Sequence, residues 1–230
     1  MAKQLYDYWF VQFDFPDANA RPYKSSGGQM VWNEKLKREI PAGWKVGSLA
    51  DMLDYAGGSQ PPASEFIFQP KQGYVRFVQI RDYYTDAHIT YIPISSRNKI
   101  CNENDIMIAR YGASLGRICY GLNGAYNVAL AKITPKKDFY REYLRTLLAS
   151  EAFYNKINRI GGRAAQAGFN KEDIESIEIL RPEDSVIKLF EDHISVVFQQ
   201  KLSNDKGSRK LYSIRDGLLQ MIMNGQVSVD

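Results

Sequence analysis

The chain has 230 residues, with 30 Lys and Arg against 26 Asp and Glu (net charge +4) and 44% hydrophobic residues. That is ample for one large domain, or for one domain with a helical appendage; no apolar run approaches a membrane span. Two histidines and two cysteines without CxxC or HExxH spacing argue against a metal site, and Cys101 and Cys119 are expected as buried free thiols of a cytoplasmic protein.

The start, Met1 to Asp7, lacks the unbroken apolar stretch of a signal peptide. Leu5, Tyr8, Trp9 and Phe13 have helical spacing, and Pro16 is expected to end that helix. Residues 16–32, turn-rich with Pro16, Asp17, Asn19, Pro22, Ser25, Ser26, Gly27 and Gly28, are expected as a linker or long loop. Ile40-Pro41-Ala42-Gly43-Trp44 opens a compact domain. Tyr74 to Ile80, His88 to Ile92, Asp105 to Arg110, Leu115 to Tyr120 and Asn127 to Ile133 are short and β-branched or aromatic, with Gly, Asn or Pro at their borders; they predict strands. Phe139, Tyr143, Leu144, Leu147 and Leu148 predict one amphipathic helix, and Phe153, Ile157 and Ile160 another, ended by Gly161-Gly162. Asn170 with Asp173 predicts an N-cap before a last strand, Ser176 to Leu180. No internal repeat is visible. His88 and His193 are expected to be structural.

From Pro182 onward a single long helix is predicted. Val186, Phe190, His193, Val197, Gln200, Asn204, Gly207, Leu211, Ile214, Leu218 and Met221 follow alternating steps of four and three, the spacing of a coiled-coil seam. Both ends of this seam are apolar and its middle is polar. A helix of roughly 35 residues is about 50 Å long, more than a small domain needs, so it reads as a spacer that pairs with another helix. The alternative is an amphipathic helix packed on its own domain. The expected fold is therefore mixed α/β (α+β), with residues 1–39 as helix remnant and linker, 40–182 as a mixed-sheet domain and 183–230 as the long helix.

Charge is unevenly spread. Residues 71–137 hold ten Lys or Arg against four acids (Asp82, Asp86, Glu103, Asp105), a local excess of +6. Tyrosines and amides lie among these cations, as in Gln79-Ile80-Arg81-Asp82-Tyr83-Tyr84. The mixture suits phosphate contacts from the cations and groove contacts from planar polar groups; an ordinary solvated face is the alternative.

Four segments carry a family resemblance. Ile40-Pro41-Ala42-Gly43-Trp44-Lys45-Val46-Gly47-Ser48-Leu49 is similar to an "IPxGWxxxxL" opening, and Gly57-Gly58-Ser59-Gln60-Pro61-Pro62 to a "GGTP" loop. Gly161 to Gln166, through Lys171-Glu172-Asp173-Ile174, to Leu180-Arg181-Pro182 resembles the exit of the same domain. Leu211 to Val227 resembles "LRDxLLPxLMNGQV" at the end of a conserved helix. Together these resemble one half of a type I restriction–modification specificity subunit, with one target recognition domain. Leu5 to Pro16 is then similar to the tail of the central conserved helix of a full-length subunit. Gln220 stands where the family has proline, and the family's usual Gln at the start of the long helix is not recognisable near Asp184-Ser185.

The resemblance implies a non-catalytic reader of double-stranded DNA. Methylation subunits would use S-adenosylmethionine to modify adenine, and a restriction subunit would use ATP and Mg, so this chain itself would need no cofactor. In agreement, the sequence has no [DN]PP[YF] methyltransferase motif and no GxxxxGK[ST] loop. A homodimer through the long helix (Val186, Phe190, Val197, Leu211, Ile214, Leu218, Met221) would supply two recognition domains. A single-stranded RNA or DNA binder and a coiled-coil adaptor that binds only protein are the other readings.

Candidate DNA contacts follow from side-chain chemistry. Arg76, Gln79 and Arg81 would alternate on one face of a strand or its end, with Tyr83 nearby, pointing into a groove or forming an exposed charged strand face; Arg forks onto guanine and Gln onto adenine, so Gln79 and Arg81 are the preferred base readers. Arg110, Tyr111, Ser114 and Arg117 bracket a turn rich in small residues, whose backbone is free to approach phosphate, or which is a plain hairpin. Gly58, Ser59 and Gln60, and Arg163 with Gln166, are further contacts or merely turns.

Overall fold

The computed structural model describes residues 1–162 and 168–224. The N-terminal helix α1 (Ala2–Tyr6) runs straight into a π-helical turn, Asp7–Val11. It stops well before Pro16, at Phe13, whose backbone is left-handed (φ 71°). Non-glycine residues hold that conformation only where packing compensates it. Here Phe13 is buried, with Trp44 edge-on to its ring at 5.5 Å and the Arg38 guanidinium over it.

The expected linker is partly a hairpin. Strands β1 (Met30–Asn33) and β2 (Arg38–Pro41) pair antiparallel, with Trp32 opposite Glu39. The chain continues through β3 (Lys45–Ser48), β4 (Leu53–Gly57), β5 (Tyr74–Val78), β6 (Tyr91–Pro93), β7 (Ile100–Cys101), β8 (Ile106–Ala109), β9 (Ile118–Cys119), β10 (Gly124–Tyr126) and β11 (Leu130–Pro135). Helices α2 (Arg141–Leu148), α3 (Glu151–Gly161) and α4 (Lys171–Glu175) follow, then β12 (Glu178–Arg181) and α5 (Asp184–Met223). The Ser150 side chain caps α3, and the expected Asn170–Asp173 capping box opens α4.

One four-stranded sheet, in the order β4-β11-β8-β9, is antiparallel throughout. The other, β6-β5-β10-β7, is mixed, because β10 runs parallel to β5. β12 pairs antiparallel with β3, so the last strand of the domain closes on one of the first. The main core lies between the first sheet and the helices, and a smaller one holds Val78, Cys101, Met107, Cys119, Leu122, Tyr126 and Leu130. Both cysteines are free and buried there; burial raises each thiol to about 11.

The first half of α5 belongs to the main core. Ile187, Phe190, Ile194 and Leu202 are buried on its inward face, and the ring of Phe190 meets Tyr6, Trp9 and Phe10 at 6.3, 5.8 and 5.1 Å. Val186 and Phe198 pack against the same cluster. The seam expected over Val186, Phe190 and Val197 is therefore corrected. Phe190 is fully buried by its own chain, Val186 and Val197 are half-buried, and Ile194 is used instead of the outward His193. His193 turns its Nδ1 to the Leu189 carbonyl at 2.7 Å and lies edge-on to Trp9. From Leu211 onward the picture reverses: Leu211, Ile214, Leu218 and Met221 all lie exposed.

Candidate nucleic-acid interface

Four strands bring the candidate loops to one rim. Beyond β4, Gly58 N–H donates to the Leu130 carbonyl at 3.0 Å and Ser59 N–H to that of Tyr126 at 3.2 Å. Beyond β10, Asn127 N–H donates to the Val78 carbonyl at the end of β5 (3.0 Å), and beyond β8, Arg110 N–H donates to that of Ala129 (2.8 Å). The loops 57–60, 79–84, 110–114 and 127–129 therefore emerge side by side, although they are far apart in sequence.

Within this rim each predicted residue has a definite place. Gly58 is required by packing: a Cβ would press on the backbone oxygens of Asn127 and Tyr126, the latter at 2.6 Å. Ser59 bridges to Asn127, and Gln60 is exposed. The Arg110 guanidinium is held 4.9 Å from the Tyr111 ring centre and 5.8 Å from that of Tyr55, and its Nη1 donates to the Val128 carbonyl at 3.2 Å. Desolvation of the Tyr55 hydroxyl, opposed by Arg110, pushes it up to about 12. Tyr111 also bridges to Gly168, so the domain's exit segment returns to this point. Arg163 and Gln166 lie outside the described residues. β8 and β9 are joined as an antiparallel hairpin, and Ser114 ends a 3-10 turn, Gly112–Ser114, within its loop.

The expectation that Arg76, Gln79 and Arg81 share a strand face is corrected. The strand stops at Val78, where the chain tightens into a 3-10 turn, Ile80–Tyr83, closed by a capping box between Gln79 and Asp82. Asp82 is almost fully buried, and desolvation raises its carboxyl despite Arg76 and Arg81. Arg76 is bound to Asp86 at 2.8 Å and lies 3.8 Å from Asp82, so its charge is answered within the chain. The amide of Gln79 turns to Thr90 at 3.4 Å. Arg81 is half-exposed and only loosely paired, at 3.9 Å, with Asp82. Tyr83 packs inward against the smaller core, which pushes its hydroxyl far above the usual range.

Every acid of the basic stretch has a cation partner: Asp82 and Asp86 as described, Asp105 with Lys132 at 3.4 Å, and Glu103 with Lys206 of α5 at 2.8 Å. Arg117 projects outward, its guanidinium 3.8 Å from the ring centre of the exposed Tyr84. Sequence reasoning missed Tyr55 and Asn127. Among the described residues, the Tyr55 hydroxyl, Ser59 Oγ, Arg110 Nε and Asn127 Oδ1 are all shielded from solvent without a hydrogen-bond partner. Unsatisfied buried polar groups are costly and rare; four such atoms lie here, and others are on Arg76, Asp82, Tyr83, Glu142 and Arg145. Asn127 reads in sequence as the first residue of a strand, and only the β5–β10 pairing reveals its role.

Comparison with known proteins accords with this architecture. Residues 41–205 match the family model of the type I restriction modification DNA specificity domain. The chain belongs to this family. It is similar to the MjaIX specificity subunit of Methanocaldococcus jannaschii, 24% identical over 245 residues, covering all of this chain and 53% of that protein. The HindI specificity subunit of Haemophilus influenzae is likewise 24% identical, over 82% of this chain and 42% of its own length. Among solved structures, the HsdS subunit from Thermoanaerobacter tengcongensis shares the fold with a TM-score of 0.50 at 17% identity, covering 98% of this chain and 51% of that one. A chain from a structure of a type I R-M system in complex assembly and conformational transition gives 0.53 at 17% identity, covering 96% and 50%. The chain spans about half the length of these relatives. Among the described residues, no helix is long and apolar enough to cross a membrane.

Proposed function

We propose that this chain reads one half of a double-stranded DNA target and recruits methylation and restriction subunits to it, catalysing neither reaction itself. S-adenosylmethionine, ATP and Mg would be bound by those partners. The observation that carries the reading is the rim itself, where four loops of a DNA specificity domain converge on Arg110, Ser59, Asn127 and the outward Arg81. Arg110 and Arg117 serve as phosphate contacts, which position the duplex. Arg81 and the exposed Gln60 are the side chains free to reach base edges; Gln79 needs to release Thr90 before it can do so.

A bipartite site needs two such domains. We propose a homodimer whose two α5 helices run antiparallel, burying Leu211, Ile214, Leu218 and Met221 against the outward face of the partner's first half. That face presents Leu189 and Val196, which are exposed, in place of the residues already spent on the core. Gln200, Asn204 and Gly207 would cross near the two-fold axis, where amides fix register.

Mapping methylated adenines in DNA from cells carrying this chain with methylation subunits tests the whole reading. An interrupted palindrome is expected. An asymmetric bipartite motif would overturn the homodimer and indicate a partner half with different specificity, and methylation without sequence preference would overturn the reading itself.

A further inference from the structure

Beyond the rim, the second half of α5 overhangs the domain and encloses an open cleft of about 1280 Å³. One wall is the inward face of the helix from Lys201 to Gln220; the other is built from residues 83–87 and 117–121. The lining holds five cations (Arg117, Lys201, Lys206, Arg209, Arg215) against three acids (Asp86, Asp205, Asp216), together with four tyrosines. Most of these charges are paired, Lys206 with Glu103 at 2.8 Å included, which leaves Arg117 as the cation of the lining without an acid partner among the described residues and a net lining charge of +2. Asp86 is shared between Arg76 at 2.8 Å and Arg209 at 3.5 Å, and Asp205 and Asp216 are held by Lys201 and Arg215 of the same helix. Lys201 lies 4.9 Å from the ring centre of Tyr120.

From these observations, and resting on the DNA-reading function proposed above, we infer that the inward face of α5 is itself a DNA-binding surface. Lys201, Arg209, Tyr212 and Arg215, facing Arg117 and Tyr84, hold the phosphodiester backbone of one strand beside the half-site. From Lys201 to Gln220 the helix rises about 28 Å, the length of about eight phosphates at 3.4 Å per nucleotide on one strand. The positive charge lies on the helix wall, where four cations stand against two acids, with Arg117 facing them, and the exposed rings of Tyr84 and Tyr212 lie among these cations. The helix then does more than hold two domains apart. It grips the non-specific DNA between the half-sites, and its contacts favour spacers that keep the backbone in the cleft.

The test is binding of the full chain to duplexes of equal length and different sequence, by fluorescence anisotropy between 50 and 200 mM salt. Replacing both Arg209→Gln and Arg215→Gln removes two phosphate contacts, so the slope of log affinity against log salt is expected to shrink by about 1.8. Affinity should fall by the same factor for every sequence, with helicity by circular dichroism unchanged. A photo-crosslinker attached through Tyr212→Cys should capture duplex independently of any effect on affinity. If the wild-type chain binds duplex while slope and crosslinking show no involvement of α5, this inference fails and the reading at the rim stands. If the wild-type chain prefers single-stranded RNA or binds no duplex, both fail.

Discussion

Phe190 separates the two roles that α5 plays along its length. Its side chain is fully buried, among Tyr6, Trp9 and Phe10 of the N-terminal segment. Truncation to Ala removes a whole ring from a close-packed site, at a cost of about 3–5 kcal/mol for a buried Phe. The three ring contacts favour the upper part of that range, since each aromatic pair adds about 0.5–1.5 kcal/mol beyond burial. For a domain of this size, the melting temperature should fall by about 6–20 °C, at about 2–4 °C per kcal/mol. Leu218 provides the contrast. It is half-exposed and touches no core cluster, so Leu218→Asp should leave the stability of the dilute chain within about 0.5 kcal/mol while weakening self-association. Urea unfolding followed by tryptophan fluorescence, at low protein concentration, measures the first effect, and sedimentation equilibrium at tens of micromolar measures the second. A Phe190→Ala chain of unaltered stability that fails to self-associate would refute the reasoning, because it would return Phe190 to an intermolecular seam.

Other consequences are open to direct measurement. Gly58→Ala should destabilise by about 2–4 kcal/mol, combining overpacking against backbone with loss of the Gly58 and Ser59 hydrogen bonds; an unchanged melting temperature would contradict the close approach to Asn127. Charge reversal at Arg117 should weaken binding to all duplexes alike and reduce the salt dependence, whereas Arg81→Ala should change sequence preference by about 1–3 kcal/mol at one position; a uniform loss from Arg81→Ala would remove it as a base reader. Burial raises Glu142 to about 7, against the pull of Arg145, and Glu191 shifts the same way. Between the unfolded value near 4.5 and about 7 the folded chain therefore binds more protons, and this contribution to stability falls as pH rises through that window. Glu142→Gln should gain on the wild type between pH 5 and pH 7.5 in urea unfolding; a constant difference at the two pH values would refute the assignment.

Much of this protein was written in the order of its residues. Apolar periodicity and capping chemistry located α2, α3, the Asn170–Asp173 cap and the long α5, because each depends on residues within one or two turns of each other. The four motifs between Ile40 and Val227 suggested the family through their order and spacing along the chain. Sequence could not decide which face of α5 the domain would take. Phe190 fits a heptad seam and a core equally well, and only the docking of Tyr6, Trp9 and Phe10 assigns it to the core. The same holds at the rim. Gln79 and Arg81 alternate on paper, but burial of Asp82 beneath a 3-10 turn separates them, and Asn127 meets Ser59 and Val78 only through pairings between segments far apart in sequence. Local chemistry fixes elements; long-range pairing and the competition for buried surface decide which side chains remain free to touch anything else.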